Sequence, residues 1–255
     1  MMNMDSGILV VDNSNTRTKF LLKTPAGVSE LRLLPTAGLT IESVRELVSD
    51  WNFAQVCVCS VVPSAAQVIK AALGEDVVRF VRVSDDLPVD FSSYAGVGTL
   101  GADRVANVLS AVRYAELPLV AVDAGTATTL DVVLAEGEKP RFAGGMIAPG
   151  MMGVASCLNQ CTALLPVCDY QMTCPVIGGN TSEAMASAVR IGYPGMIDAL
   201  LDAIEEEVGQ PVHVVLTGGD AEFLAPKLRH APVVVPSLTL EGVLIAAEID
   251  QKIIF

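Results

Sequence analysis

The fold of this chain is decided by two stretches of sequence, LVVDNSNTRT at residues 9–18 and LVAVDAGTATT at residues 119–129. Each stretch runs from apolar residues through an aspartate and small polar residues to a threonine, and a second apolar run follows it. Such a pattern predicts two strands joined by a tight turn. Because it occurs once in each half of the chain, it indicates either a duplicated fold or two ordinary hairpins that are alike by chance.

The elements predicted around the two stretches favour duplication, because they follow the same order in both halves. In the first half we expect strands at 7–13, 17–23 and 28–34, a helix at 41–51 capped by Thr40, a strand at 54–62, a helix at 64–73, a strand at 76–83 and a helix at 102–116. In the second half we expect strands at 119–125, 126–134 and 141–147, helices at 152–161 and 180–208, a strand at 211–219, a helix at 220–228, a strand at 232–236 and a helix at 239–249. The sequence therefore predicts an α/β protein of two βββαβαβα halves, residues 1–116 and 117–255, whose turns face a central cleft.

Composition excludes several classes of function. The 255 residues carry 16 Lys and Arg against 29 Asp and Glu, a net charge of −13. A chain this acidic repels nucleic acid and anionic membranes unless its basic residues are clustered, and the sequence has no Lys/Arg run. Hydrophobic residues make up 51% of the chain, enough for one large core or two moderate ones. We therefore expect a folded protein that binds neither nucleic acid nor membrane.

Three further features of the sequence bear on where the protein works. The uncharged stretch 142–168 is interrupted by glycines and prolines, so we expect a buried loop and helix rather than a membrane span. The N-terminal sequence MMNMDSG lacks the basic and apolar regions of an export signal, which predicts a cytoplasmic protein. The six cysteines and two histidines show no zinc-binding spacing, so we expect the cysteines to be small core residues in a reducing compartment.

The two turns offer a way to hold polyphosphate. A P-loop is excluded as an alternative, because the chain has no Gly-Lys pair. Backbone N–H groups and short polar side chains in a turn donate to phosphate oxygens, and a bound cation neutralises the remaining charge. The expected groups are the donors Ser14, Asn15, Thr16 and Thr126, the cation-holding carboxylates Asp12 and Asp123, and the basic side chains of Arg17 and Lys19.

The sequence LTGGD at residues 216–220 lies between an apolar run and a predicted helix. Gly218 and Gly219 would permit the close approach of a flat ring or a ribose. A tight turn with Asp220 as a helix cap explains the same residues. The sequence leaves both interpretations open.

The sequence LGADR at residues 100–104 enters a predicted helix and places a carboxylate beside a guanidinium group. Asp103 could accept the proton of an attacking hydroxyl group, and Arg104 could bind an anionic group of the acceptor. Alternatively, Asp103 only favours the helix N-terminus and Arg104 is solvated.

Together these pieces resemble one family, the type III pantothenate kinases, in the superfamily of actin, sugar kinases and heat-shock-chaperone ATPases. The resemblance runs over nearly the whole chain, and its specificity comes from a series of motifs in family order. The motifs are VDNSNTRTK at 11–19, SVVP at 60–63, LGADR at 100–104, DAGTATT at 123–129, GGMIAPG at 144–150, TALLP at 162–166, GGNTSEAM at 178–185 and TGG at 217–219.

The resemblance implies a duplicated ribonuclease-H-like fold of the actin-like ATPase type. It implies ATP-dependent phosphorylation of pantothenate to 4'-phosphopantothenate, the first step of coenzyme A biosynthesis. ATP would be the co-substrate, with Mg2+ and a monovalent cation, K+ or NH4+, and the enzyme would be a homodimer.

The resemblance also assigns roles to residues. It makes Asp103 the general base and assigns pantothenate binding to Tyr94, Gly101, Ala102, Asp103, Arg104 and Thr181 of the partner subunit. It assigns ATP binding to Asp12, Asn13, Ser14, Asn15, Thr16, Arg17, Thr18, Lys19, Thr126, Gly218 and Gly219. Asp12 would lie near magnesium, and Asp123 would hold the monovalent cation.

Three residues depart from the family pattern. Ser14 replaces a glycine in the first phosphate loop, Asn13 replaces an apolar residue, and Val97 replaces the usual proline of the substrate loop. A positive φ at Ser14 would be strained, and its β-carbon would hinder phosphate. Two alternatives therefore stay open, a weakly active or regulatory protein on the same fold and another small-molecule kinase of the superfamily.

Overall fold

A computed structural model describes residues 6–253 of the chain. Residues 1–5, which include most of the segment that predicts the lack of an export signal, lie outside the described residues. The strands are β1 (Gly7–Asn13), β2 (Arg17–Thr24), β3 (Gly27–Val28), β4 (Arg32–Pro35), β5 (Phe53–Ser60), β6 (Val78–Phe80), β7 (Leu119–Ala124), β8 (Ala127–Leu134), β9 (Arg141–Pro149), β10 (His213–Thr217) and β11 (Val233–Val234). The helices are α1 (Ile41–Leu47), α2 (Pro63–Leu73), α3 (Ala102–Ala111), α4 (Met151–Cys161), α5 (Thr181–Val208), α6 (Ala221–Leu224) and α7 (Leu238–Ile253).

The strands form two sheets with equivalent orders. The first sheet has the order β3-β2-β1-β5-β6, with β4 also paired to β2, and the second has the order β11-β10-β7-β8-β9. In the first sheet β1 is antiparallel to β2 and parallel to β5, which is parallel to β6. In the second sheet β7 is antiparallel to β8 and parallel to β10, which is parallel to β11. The predicted duplicated α/β architecture is thereby confirmed.

The register of the two sheets places the two aspartates at equivalent positions. Asp12 is the next-to-last residue of β1 and Asp123 is the next-to-last residue of β7. Asp12 lies opposite Lys19 in the hairpin strand, and Asp123 lies opposite Thr129 in the equivalent strand. The repeated sequence pattern therefore corresponds to a repeated structural position at the end of the hairpin.

The described chain divides into two compact units. The first comprises the chain up to Arg113, residues 136–142 and the chain from Ser237 onward, and the second comprises residues 114–135 and 143–236. The junction near residue 113 lies close to the expected boundary at 116, whereas the C-terminal helix α7 belongs to the first unit because it packs on α3 and β1. A buried hydrogen bond of 2.8 Å from Thr239 Oγ1 to Asn107 Oδ1 fixes α7 on α3.

Each unit has its own core. In the first unit apolar residues of β1 and β5 pack with α1 and α2, and in the second unit apolar residues of β7 and β10 pack with α5. Among the cysteines, Cys57, Cys59 and Cys168 are buried as expected. The same expectation is wrong for Cys157 and Cys161, which lie exposed on α4. None of the described helices is long and apolar enough to cross a membrane.

Several predicted elements are shorter in the structure, among them a strand and a helix of the first half. The single strand expected at 28–34 is wrong, because the structure has the separate strands β3 and β4 there. Ser29 ends β3: its N–H donates to Leu22 O, and its hydroxyl oxygen accepts the Leu22 N–H. The helix expected to run to residue 116 ends at Ala111, where the chain turns toward Pro118. These differences do not alter the strand order.

Candidate active site

The first turn of the candidate site joins β1 to β2 and is built around a buried aspartate. Asp12 Oδ2 accepts a hydrogen bond of 2.9 Å from Lys19 Nζ, and the carboxylate is almost completely buried. Asn15, Thr16 and Arg17 are exposed at the tip of the turn. The structure therefore places a carboxylate at the base of the turn and polar groups at its tip, as phosphate and cation binding would require.

Asn13 holds this turn through its side chain, which the sequence alone did not explain. Its amide nitrogen donates to Thr18 Oγ1 at 2.8 Å, and its amide oxygen accepts from Ser60 Oγ at 2.6 Å. Thr18 is buried, and its hydroxyl group also bonds Thr36 Oγ1 at 3.0 Å. Asn13 and Thr18 therefore support the turn from its buried side, because neither side chain is exposed at the protein surface.

Ser14 does not have the strained conformation that the loss of glycine suggests. Among the described non-glycine residues only Ala231 has a positive φ, so Ser14 lies in an ordinary backbone region. Its hydroxyl group donates to Arg17 O at 2.9 Å, and its own carbonyl oxygen accepts from Thr36 Oγ1 at 2.7 Å. The strain expected at Ser14 is wrong, because the turn closes around the serine with normal geometry.

The first turn of helix α3 presents Asp103, the expected general base. Asp103 Oδ1 accepts the backbone N–H of Arg104 at 2.8 Å. The carboxylate also occupies the space where a β-carbon at position 101 would lie, which explains Gly101. Burial raises the pKa of Asp103, and the nearby charge of Asp12 raises that pKa further against the opposing effect of the Arg104 N–H. The structure thus places Asp103 within electrostatic range of Asp12 in the first unit.

Phe142 contacts side chains of residues 94–104, the candidate substrate loop, although no sequence motif singles Phe142 out. The Tyr94 ring meets Phe142 edge-on with centroids 5.1 Å apart, and Phe91 lies 5.3 Å away on the same ring. The Arg104 guanidinium lies 5.8 Å from the ring centroid. Phe142 is anchored at the start of β9, where its N–H donates to Asp90 O at 2.9 Å. Tyr94 and Arg104 therefore share one buried aromatic platform.

Arg104 is buried, with 7% of its surface exposed. The alternative of a solvated Arg104 is therefore wrong. A guanidinium group held against an aromatic ring keeps its charge, since arginine is not deprotonated in proteins. Such a group is suited to bind a carboxylate through two parallel hydrogen bonds.

The second turn joins β7 to β8 in the second unit, and other loops of that unit converge on it. Asp123 is partly buried, and Thr126 is exposed at the tip. Gly150, at the start of helix α4, donates its N–H to Thr126 O at 3.2 Å. The N-terminus of α4 therefore lies beside the turn and adds the positive end of a helix dipole, which favours phosphate.

Gly218 also packs on this turn. Its φ is +100°, and a β-carbon there would overlap the backbone of Ala124. Two residues further on, the N–H of Asp220 donates to Ala124 O at 3.0 Å. Asp220 occupies the N-cap position of α6, as one of the two interpretations expected, although its side chain makes no capping hydrogen bond. Gly219 is exposed beside Gly218.

Tyr193 lies under the second turn and was also missed by the sequence. Its hydroxyl group bonds Thr128 Oγ1 at 2.7 Å. Burial raises the pKa of Tyr193 to about 12, and the charges of Asp220 and Asp123 contribute to this shift. The phenol therefore stays protonated, and both carboxylates lie near it. Burial also raises the pKa of Asp220.

The remaining predicted residue, Thr181, is exposed at the first position of α5. Asn180 caps this helix by accepting the Glu183 N–H at 3.0 Å, and the Glu183 carboxylate accepts the Gly179 N–H at 2.7 Å. The loop ahead of α5 carries exposed apolar side chains.

A cavity of about 750 Å³ lies in the first unit beside the substrate loop. Its walls include Val97, Gly98, Leu100 and Ala102 of that loop. Its wall reaches Ala102, the residue before Asp103.

Comparisons with known proteins decide which family these features belong to. A family profile described as type III pantothenate kinase matches residues 8–203. A type III pantothenate kinase of Akkermansia muciniphila is 39% identical over 243 residues, which cover 95% of this chain and 98% of that one. The chain belongs to the type III pantothenate kinase family. The resemblance of its motifs to this family is therefore confirmed.

Solved structures confirm the fold that this kinase family shares with actin and sugar kinases. A ROK hexokinase from Thermus thermophilus matches with a TM-score of 0.53 at 13% identity, over 96% of this chain and 99% of that one. An archaeal actin homologue matches with a TM-score of 0.51 at 11% identity, over 96% and 99% of the two chains. At these identities the likeness extends to the fold alone.

Proposed function

We propose that this type III pantothenate kinase family member transfers the γ-phosphoryl group of ATP to pantothenate and forms 4'-phosphopantothenate in the first step of coenzyme A biosynthesis. The observation that supports this most directly is the placement of the buried Asp103 at the start of α3, within electrostatic range of Asp12 in the candidate phosphate turn. A phosphate-holding turn beside a candidate base is the arrangement that phosphoryl transfer to a hydroxyl group needs.

Asp103 is proposed as the general base. Its raised pKa brings the carboxylate nearer to the range in which a base accepts a proton at neutral pH. Because phosphoryl transfer has a loose transition state, the base needs mainly to orient the hydroxyl group and to accept its proton late in the reaction. The bond from the Arg104 N–H fixes one carboxylate oxygen and leaves the other for the substrate.

Arg104 and Tyr94 are proposed to bind pantothenate. The buried guanidinium group would pair with the pantothenate carboxylate, and the Phe142 ring keeps both side chains in place. Gly101 and Ala102 line the same loop and would contact the substrate through their backbones. A fixed carboxylate would set the distance from Asp103 to the hydroxyl group of the substrate.

Both turns are assigned to ATP. In the first turn the polar groups of residues 15–17, with Lys19, would contact phosphates, while Ser14 closes the turn on Arg17 O and Asn13 and Thr18 hold it from its buried side. In the second turn Thr126 and the N-terminus of α4 would contact phosphates. Gly218 and Gly219 would lie against the nucleoside, where the lack of side chains permits close approach.

The donor atoms of the two turns fit the cations that the family implies. The negative charge of Asp12 disfavours the ionised form of Asp103, and a divalent cation, Mg2+, would offset this effect. Asp123 Oδ1 and Ala127 O each lie 3.5 Å from the place where a β-carbon at Gly125 would be, and hard oxygens of this kind are suited to K+ or NH4+. The cations would supply neutralisation of charge on the transferring phosphoryl group.

A homodimer is proposed, with Thr181 of the partner subunit completing the pantothenate site. Support comes from the apolar side chains between α4 and α5, of which Leu164 is 93% and Ile177 88% exposed. Side chains of this kind at such exposure are typical of a surface that a partner covers. We place the enzyme in the cytoplasm, since none of its six cysteines forms a disulfide.

The experiment is a direct assay of the purified protein with ATP, Mg2+ and pantothenate, with and without K+. Mass spectrometry should show ADP and phosphopantothenate in equal amounts, and omission of K+ should lower the rate. Replacement of pantothenate by sugars tests the other small-molecule kinases of the superfamily. Phosphorylation of a sugar with no phosphopantothenate would contradict the proposal.

A further inference from the structure

Three side chains of types that commonly bind metal ions converge in the second unit, in a cluster of residues that belong to neither turn. Asp202 and Glu205 lie three residues apart on helix α5, and His230 lies on the segment just before β11. One ligand atom from each lies within 4.8 Å of the other two. A histidine nitrogen with two carboxylate oxygens is a donor set that zinc and related divalent ions accept.

The distances from His230 to the two carboxylates are those expected between ligands of one metal ion. His230 Nε2 lies 3.4 Å from Asp202 Oδ1 and 3.7 Å from Glu205 Oε2. Ligands that bind zinc tetrahedrally at about 2.0–2.1 Å lie about 3.4 Å from one another. Hydrogen bonds from a charged nitrogen to a carboxylate are shorter, with the nitrogen and oxygen about 2.7–2.9 Å apart.

Each of the three ligands is oriented by a bond at its other atom. Asp198 Oδ1 lies 3.0 Å from His230 Nδ1, which leaves Nε2 for an ion. Arg229 donates to Asp202 Oδ2 at 2.6 Å, and the Val212 N–H donates to Glu205 Oε1 at 3.0 Å. Metal-binding histidines characteristically donate their second ring N–H to a carboxylate or carbonyl group. The cluster therefore has the supporting bonds of a metal site as well as its ligands.

The burial of His230 is the second observation that points to an ion. Its side chain is 9% exposed, and within the part of the chain that the structure describes its Nε2 makes no hydrogen bond. A buried ring nitrogen without a hydrogen bond is costly unless something binds it. Asp198, Asp202 and Glu205 outweigh Arg229 by two charges when the histidine is neutral, and a divalent cation balances this difference.

We propose that Asp202, Glu205 and His230 form a binding site for a divalent transition-metal ion, zinc being the best match. The fourth position is open to water, since Asp202 is half exposed. The ion would tie helix α5 to the segment before β11 and so stabilise the second unit. This role is independent of the proposed kinase activity.

The test is a titration of the chelator-treated whole protein with Co2+ alone and with Zn2+ alone, in excess Mg2+ that occupies hard oxygen sites. One Co2+ should bind per chain with visible absorption bands of tetrahedral intensity. Zn2+ should displace it and raise Tm. If neither ion binds in stoichiometric amount, the proposal is wrong.

Variants locate the site. His230→Gln and Glu205→Gln should each weaken Zn2+ binding at least about 100-fold, and Asp198→Asn about 10–100-fold. The matched control is His213→Gln, which changes the chain's other histidine at an exposed position and should leave affinity unchanged. Loss of binding in Cys157→Ser, or unchanged binding in His230→Gln, would overturn the proposal.

A measurement on the unaltered protein covers the case in which a variant fails to fold. The chain has two histidines, so their ring signals are resolved by NMR with isotope labelling. Zn2+ should shift the ring signals of His230 and leave those of His213 in place. A shift confined to His213, or no shift at all, would contradict the site.

Discussion

Burial raises the pKa of Asp103 at the start of α3, and the charge of Asp12, in the turn between β1 and β2, raises that pKa further. These residues come from two motifs that are separated by most of the first unit in sequence. This electrostatic interaction links the candidate phosphate turn to the candidate base. The predictions below test this pair and the groups that support it.

Asp103→Asn tests the base directly. We expect kcat to fall by about 100-fold to 10,000-fold, the usual contribution of a general base. Asp86→Asn, an exposed aspartate of the same unit, should retain wild-type kcat. Steady-state kinetics at saturating ATP and pantothenate measure both, and a wild-type kcat in Asp103→Asn would exclude the assigned role.

The same variant should be more stable than the wild type at neutral pH. Burial raises the pKa of Asp103, so the folded chain holds this proton more tightly than the unfolded chain. Stability therefore falls as the pH rises from the ordinary carboxyl range through the raised pKa. Asparagine removes this loss, so the Tm of Asp103→Asn should exceed that of the wild type at neutral pH and approach it in acid. A lower Tm at neutral pH would contradict the burial argument.

Phe142→Leu tests the aromatic platform. Leucine keeps the site apolar but removes the ring beneath Tyr94 and Arg104. We expect KM for pantothenate to rise about fivefold to tenfold, since aromatic and cation–π contacts are each worth about 1 kcal/mol. KM for ATP should not change. Phe20→Leu, a buried control in β2, should lower Tm without this effect on pantothenate, and equal effects of the two variants would refute the platform.

Gly218→Ala tests the packing on the second turn. The substitution forces a β-carbon into the Ala124 backbone at a φ of +100°. We expect a loss of about 1–3 kcal/mol in the free energy of unfolding, together with a higher KM for ATP. Gly219→Ala has open space at its β-carbon position and should retain wild-type stability. Denaturant titration measures the free energy of unfolding of both variants. Equal values would contradict the close packing of Gly218 on the Ala124 backbone.

Ser14→Gly tests whether the departure in the first phosphate turn limits activity. Ser14 has no positive φ, and its hydroxyl group closes the turn on Arg17 O. Glycine should therefore relieve nothing and should remove one hydrogen bond, so KM for ATP should rise about fivefold. A lower KM and a higher kcat would instead support the weakly active or regulatory alternative.

Much of the fold could be predicted from the sequence because it depends on local patterns. The apolar runs and the turn residues around Asp12 and Asp123 determine both hairpins and so the equivalent sheets. The position of α7 could not be predicted in this way. Its contacts with α3 join residues such as Thr239 and Asn107, which are far apart in sequence and carry no recognisable pattern.

The candidate site was predictable where a motif carried it and not where packing did. Phe142 looks like any apolar strand residue, and only the structure brings Tyr94 and Arg104 onto its ring. Tyr193 lies within a long helix, and nothing in its neighbourhood links it to Thr128. The spacing rule for zinc ligands missed the cluster at His230, because its members come from two separate segments.

The most direct test of the central claim is the product of the wild-type reaction beside that of Asp103→Asn. Purified protein is incubated with ATP, Mg2+, K+ and pantothenate, and 31P NMR follows the appearance of 4'-phosphopantothenate. We expect the wild type to convert pantothenate to this product with one ADP formed per turnover, and the folded Asp103→Asn variant to form almost none. No phosphopantothenate from the wild type, or equal rates from the two proteins, would contradict the account.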